Sequence, residues 1–125
     1  MKTYSSEHIK NVVLVGHSGS GKTTLAECML FEAGALNRRG LVSENNTVSD
    51  YNELEHERGN SVFSTLMHAE WKDTKINIID TPGMDDFVGE VIAAFKVADT
   101  GLLVLNAAHG VEVGTELIWE YADHL

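Results

Sequence analysis

Residues 16–23 run Gly-His-Ser-Gly-Ser-Gly-Lys-Thr, an order of residue types suited to gripping a phosphate chain. Gly16, Gly19 and Gly21 let the loop's backbone N–H groups, those of His17, Ser18 and Ser20 among them, turn inward on an anion. Lys22 is long enough to reach the β- and γ-phosphates, and Thr23 offers a hydroxyl to Mg2+. The first helical turn, which Thr24 continues, adds the positive end of a helix dipole. A second string, Asp80-Thr81-Pro82-Gly83, joins a carboxylate able to hold magnesium to a glycine N–H able to meet a γ-phosphate, with Thr81 and Pro82 between them. Alone, D-x-x-G is the composition of an ordinary turn. Joined to the first string, it describes a site for a nucleoside triphosphate with Mg2+.

These residues work only if a strand, a turn and a helix present them. Ile9 to Val15, closed by the unbroken apolar run Val12 to Val15 and ending at a glycine, has the pattern of a central parallel strand. From Lys22 to about Gly34, Leu25, Cys28, Met29, Phe31 and Ala33 recur at helical spacing. Residues 35–60 are a long polar segment with one short helical pattern, Tyr51 to Glu57, and loops of such length in compact domains are usually functional lids or disordered segments. Ser61 to Trp71 and Lys75 to Ile79 predict a hairpin closed by Lys72-Asp73-Thr74. An amphipathic helix over 87–98, a short strand Leu102 to Leu105 and a helix over 112–124 complete the order β-α-β-β-α-β-α. That order predicts an α/β sheet with helices on both faces and one antiparallel edge strand, whose strand ends gather Asp80 beside the phosphate loop. Trp71 and Trp119 are expected as packing anchors, and Cys28 as a small buried hydrophobe.

Composition narrows the partners. A chain of 125 residues with 43% apolar and 22% charged residues is sized and composed as one folded domain. Its net charge is 9 − 19 = −10, a field that repels free nucleic acid and anionic membranes. The excess is lopsided: residues 1–60 carry 6 basic and 8 acidic side chains, residues 61–125 carry 3 and 11. An anion site is therefore expected early in the chain, built by local geometry against the overall field. No apolar run approaches the ~20 residues that span a bilayer. One cysteine and no secretory signal pattern fit a reducing, cytoplasmic compartment. No histidine pair has metal-ligand spacing, so zinc is not expected.

With these strings in view, the chain resembles the start of the G domain of translational GTPases, specifically elongation factor G and its elongation factor G-like paralogues. The resemblance rests on residues 16–25, on Glu57-Arg58-Gly59-Asn60-Ser61-Val62, on Asp80-Thr81-Pro82-Gly83-Met84-Asp85-Asp86-Phe87 and on Gly110-Val111-Glu112, and spans essentially all 125 residues. It implies a P-loop NTPase fold over 1–125, ending before the fifth strand, with a first switch at about 35–61 and a second at about 80–90. It also implies GTP or GDP with Mg2+ as cofactors and the ribosome as partner. Ser61 would then be the third magnesium ligand beside Thr23 and Asp80, at a position where the family carries Thr.

Three positions depart from the family pattern. Met84 stands where these GTPases carry the histidine that orients the attacking water, and a thioether is a weak acceptor with no proton to give. Lys22 keeps its catalytic role while that of position 84 is unfilled, so two readings stand: a GTPase, or a nucleotide-dependent binding module with little or no hydrolysis. Gly19 replaces an Asp of the elongation factors, and Ser61 keeps the hydroxyl of the usual Thr. Asp85 and Asp86 read as a solvated surface, since adjacent carboxylates beside a triphosphate would repel it. The N-K-x-D string that reads guanine in this family does not occur. The expectation is an N-terminal part of a longer protein that by itself binds GTP weakly and, with its fourth strand uncovered, self-associates.

Overall fold

The computed structural model describes residues 2–49, 63–83 and 87–124. After a short 3-10 turn at Ser6–His8 come β1 (Ile9–Val15), α1 (Lys22–Glu32), β2 (Thr65–Trp71), β3 (Thr74–Asp80), α2 (Val88–Phe95), β4 (Thr100–Leu103) and α3 (Val113–Asp123). A further 3-10 turn, Val42–Glu44, lies between α1 and β2. The strand order is β2-β3-β1-β4. β1 runs parallel to both β3 and β4, and β2 pairs antiparallel with β3 at the edge. This is the α/β architecture that the alternation of patterns predicts, antiparallel edge included. The short helical pattern expected at Tyr51 to Glu57 lies outside the described residues.

Two apolar layers flank the sheet. On one face Val13, Val15 and Ile79 pack with Val91 and Ala94 of α2 and Ile118 of α3. On the other, Leu14 and Ile78 pack with Ala26 and Leu30 of α1 and with Met67 and Ala69 of β2. Val12 and Leu14 thus serve one layer and Val13 and Val15 the other, which is why residues 12–15 are apolar without alternation.

Several boundaries differ from the sequence expectation for identifiable reasons. β4 begins at Thr100, two residues before the expected Leu102, because Val12 pairs with Thr100 and Asp99 accepts the Asn11 N–H at 2.8 Å. β4 ends at Leu103, after which the Val104 N–H reaches the Val15 carbonyl at 2.8 Å and β1 has already turned at Gly16. β2 begins at Thr65, since the Ser64 N–H is taken by the Glu90 carboxylate of α2 at 2.9 Å. The hairpin turn is two residues long, with φ of 46° at Lys72 and 62° at Asp73, the twist that suits a tight hairpin.

In α1 the expected stripe holds in part, since Leu25, Met29 and Ala33 pack against the layer of Leu14, Ala26 and Leu30. α1 buries Lys22, Thr23, Ala26, Glu27 and Leu30, while Phe31 is exposed and Cys28 half-buried. Trp71 and Trp119 are not packing anchors: both are at least half exposed, Trp71 on the edge strand β2 and Trp119 on α3.

Candidate functional site

The phosphate loop is the turn from β1 into α1. Gly16 has φ of 150°, and a Cβ there would lie 2.3 Å from the Val104 carbonyl oxygen, so only glycine lets β1 turn this close to the chain after β4. Gly21, at φ 99°, is the residue before α1, and its carbonyl accepts the Leu25 N–H at 2.8 Å. Lys22 is buried and folds back over the loop, donating from Nζ to the carbonyls of Gly16 at 3.1 Å and His17 at 2.9 Å. Its ammonium therefore stands inside the turn. Ser18 and Ser20 are half-buried, Gly19 is at the exposed tip, and Thr24 is exposed on the first turn of α1.

β3 delivers Asp80 beside this loop. Its carboxylate is fully buried, and Oδ2 accepts the Thr23 hydroxyl at 2.6 Å. Hydroxyl and carboxylate are hard oxygen donors in contact, the donor set that suits Mg2+ when phosphate oxygens complete the shell. Among the described residues no three His, Cys, Asp or Glu side chains gather as a closed metal cage. Mg2+ is characteristically held by few protein ligands, so this donor set fits it.

Thr81 holds the wall together: its hydroxyl donates to the Leu14 carbonyl at 2.7 Å, fixing the end of β3 to the end of β1. Pro82 is fully buried. Gly83 lies against the loop itself, where a Cβ would sit 2.7 Å from Ser18 Cβ and 2.8 Å from Ser18 N. The structure thus brings the two strings read from the sequence together. Ser61 and Met84, the other two candidate positions, lie outside the described residues, as do Asp85 and Asp86.

Sequence reasoning missed three participants. Ser49 is buried and donates its hydroxyl to the same Asp80 Oδ2 at 2.6 Å, and its carbonyl accepts the Thr65 hydroxyl at 3.0 Å. Glu27 is buried on α1 and holds the backbone of Gly40 and Val48. Glu112 opens α3 with a capping box to Thr115, and its carboxylate lies 3.5 Å from His17 Nδ1, which also meets the Ser18 carbonyl at 2.8 Å. For Glu27 the available signal is an acidic residue flanked by Ala26 and Leu30 on one helical stripe. Ser49 has no local signature.

Residues 7–125 match the family model described as the elongation factor Tu GTP-binding domain. The chain is 43% identical over 122 residues to elongation factor G of Petrotoga mobilis, covering 98% of this chain and 18% of that protein. It is 38% identical over 130 residues to the mitochondrial ribosome-releasing factor 2 of Kluyveromyces lactis, covering all of this chain and 16% of that one. A crystal structure of a Thermus thermophilus protein superposes with a TM-score of 0.90 at 40% identity, over 94% of this chain and 18% of the other. The chain thus spans less than a fifth of the length of each of these relatives. No helix among the described residues is long and apolar enough to cross a membrane. The strand–loop–helix that carries Lys22, the carboxylate that meets Thr23 and the match across residues 7–125 place this chain in the elongation factor Tu GTP-binding domain family, the G domains of translational GTPases.

Proposed function

We propose that this domain binds GTP and GDP with Mg2+ and that its protein is a translational GTPase of the elongation factor G type, acting at the ribosome in the cytoplasm. The observation that carries the reading is the Thr23–Asp80 contact of 2.6 Å at the lip of a loop that already encloses the Lys22 ammonium. When bound, Mg2+ neutralises charge on the β- and γ-phosphates. The chain supplies the rest. Loop amides and the start of α1 orient the phosphates, Lys22 balances their charge, and Gly83, packed on Ser18, brings its backbone to the γ-phosphate side. Segments 35–61 and 80–90 then act as switches that order around the triphosphate and relax when it is lost.

Met84 favours a second reading, a nucleotide-dependent binding module with little or no hydrolysis, because a thioether cannot take or give the proton that a water-orienting histidine handles. Competition on the full-length protein tests the binding claim: GTP and GDP displace a fluorescent guanine nucleotide in Mg2+, and ATP does not. Equal displacement by ATP overturns the guanine assignment. Phosphate release with ribosomes then separates the two readings. Hydrolysis by the natural protein supports the GTPase, whereas hydrolysis gained only in Met84→His supports the module.

A further inference from the structure

Besides Asp80, the described residues bury one carboxylate, Glu27, in the second turn of α1 and 1% exposed. A buried carboxylate is costly unless donors surround it. Here Oε2 accepts the Gly40 N–H at 3.0 Å and Oε1 accepts the Val48 N–H. Between those two amides the chain closes on itself: the Leu41 N–H donates to Asn46 Oδ1 at 2.7 Å, Asn46 Nδ2 donates to Glu44 Oε2 at 2.9 Å, and Asn45 turns at φ 53°. One carboxylate therefore grips both ends of a closed loop. The fit at Gly40 is tight, since a Cβ there would lie 2.6 Å from the Asn46 carbonyl oxygen and 3.0 Å from Glu27 Oε2. The residue immediately after the loop is Ser49, whose hydroxyl reaches Asp80 at 2.6 Å. α1 itself begins at Lys22 and Thr23, so the grip and the phosphate loop share one rigid helix.

We propose that Glu27 is a positioning residue of the nucleotide site: from α1 it clamps loop 40–48 and so delivers Ser49 to the carboxylate that meets Thr23. The proposal rests on reading Asp80 and Thr23 as the metal side of that site. It gives the polar segment after α1 a fixed anchor that no phosphate contact supplies. Loss of the anchor frees the loop while leaving both apolar layers of the sheet intact, because Glu27 belongs to neither.

The bond between Arg39 and Gly40 offers a direct readout, because the amide that trypsin must extend is the one Glu27 holds. In the full-length protein without nucleotide, E27A is expected to be cut there about tenfold faster than wild type, the effect of losing charge-assisted hydrogen bonds. E27Q keeps one acceptor and is expected to fall between, and E32A, an exposed glutamate on the same helix, to match wild type. In a second arm, the Mg2+ concentration needed to retain a fluorescent GTP analogue is expected to rise about tenfold in E27A with an unchanged melting curve. Loosened packing alone would instead lower the melting temperature. Wild-type resistance in E27A, or equally fast cutting of E32A, overturns the clamp, and if E27A does not fold, E27Q decides by the same criteria. A wild-type protein that retains no nucleotide overturns the reading of the site, while the trypsin comparison still decides the clamp.

Discussion

Gly83 and Ser18 show how little freedom the site leaves at the scale of single residues. The two come from different strings, yet there is no space between them for a methyl group: a Cβ on Gly83 would lie within 2.8 Å of Ser18 Cα, Cβ and N. Gly83→Ala must therefore push the phosphate loop outward, and GTP binding by the full-length protein is expected to weaken by about tenfold or more while the fold survives. Unchanged affinity in a titration would show that the loop yields without cost. The placement of the loop residues was legible because the string is local: a glycine turn, a lysine and a threonine stand together where β1 passes into α1. Glu27 and Ser49 were not, because each acts on a partner distant in sequence, Glu27 on Gly40 and Val48, Ser49 on Asp80. In α1 the apolar residues marked the core side only in part: Leu25, Met29 and Ala33 pack on the sheet layer, but the buried positions also include Lys22, Thr23 and Glu27, whose polar partners lie elsewhere in the chain.

Among the elements, the joint between β1 and β3 sets the site's geometry. Thr81 is fully buried and ties the end of β3 to the Leu14 carbonyl through both its hydroxyl at 2.7 Å and its N–H at 3.4 Å. Thr81→Val keeps the shape and removes the shorter bond, and is expected to lower unfolding free energy by about 1 kcal/mol in urea denaturation. No change would mean that this bond does not hold the joint. The hairpin at the far end of the sheet behaves differently. Asp73 in its turn is bonded by Lys2, a link that holds the Asp73 carboxyl below and the Lys2 ammonium above their ordinary values, through the hydrogen bond first and charge second. Any stability from a lowered carboxylate would disappear as pH falls through its folded value, and any from the raised lysine as pH rises through its own. Both groups lie in solvent, where screening leaves such pairs little worth, so Asp73→Asn should melt with wild type from about pH 5 to 8. A drop of several degrees would contradict this. Strand and helix order was legible from hydrophobic period alone. The ends of β2 and β4 were not, because Glu90 and Asp99, distant side chains, claim backbone groups that a longer strand would use.

For the whole molecule, the balance of −10 means that the proposed anion site must be a local exception, carried by backbone dipoles and Lys22. β4 is an edge of the described sheet, with Thr100, Gly101 and Leu102 exposed and Leu105 beyond it exposed as well. An uncovered parallel strand with apolar neighbours invites pairing. The 125-residue chain on its own is therefore expected to self-associate in light scattering, and a stable monomer at high concentration would contradict this. It also holds no N-K-x-D string, so with phosphate contacts but none of that motif's base contacts its GTP affinity is expected to be weak, and a sub-micromolar value would contradict the expectation. Family and fold were legible at this scale because the motif strings are spread from residue 16 to residue 112.

The central claim is that a loop of amides, one lysine and a hydroxyl–carboxylate pair hold a magnesium-bound triphosphate. Calorimetric titration of GTP into the full-length protein, wild type beside Lys22→Ala, with Mg2+ and then with the metal chelated, tests it most directly. Saturable binding by wild type in Mg2+ is predicted, weakened about 100-fold, or about 2.7 kcal/mol, by the substitution and substantially by chelation. Equal binding by Lys22→Ala, or no binding by wild type with Mg2+ in excess, would contradict the account.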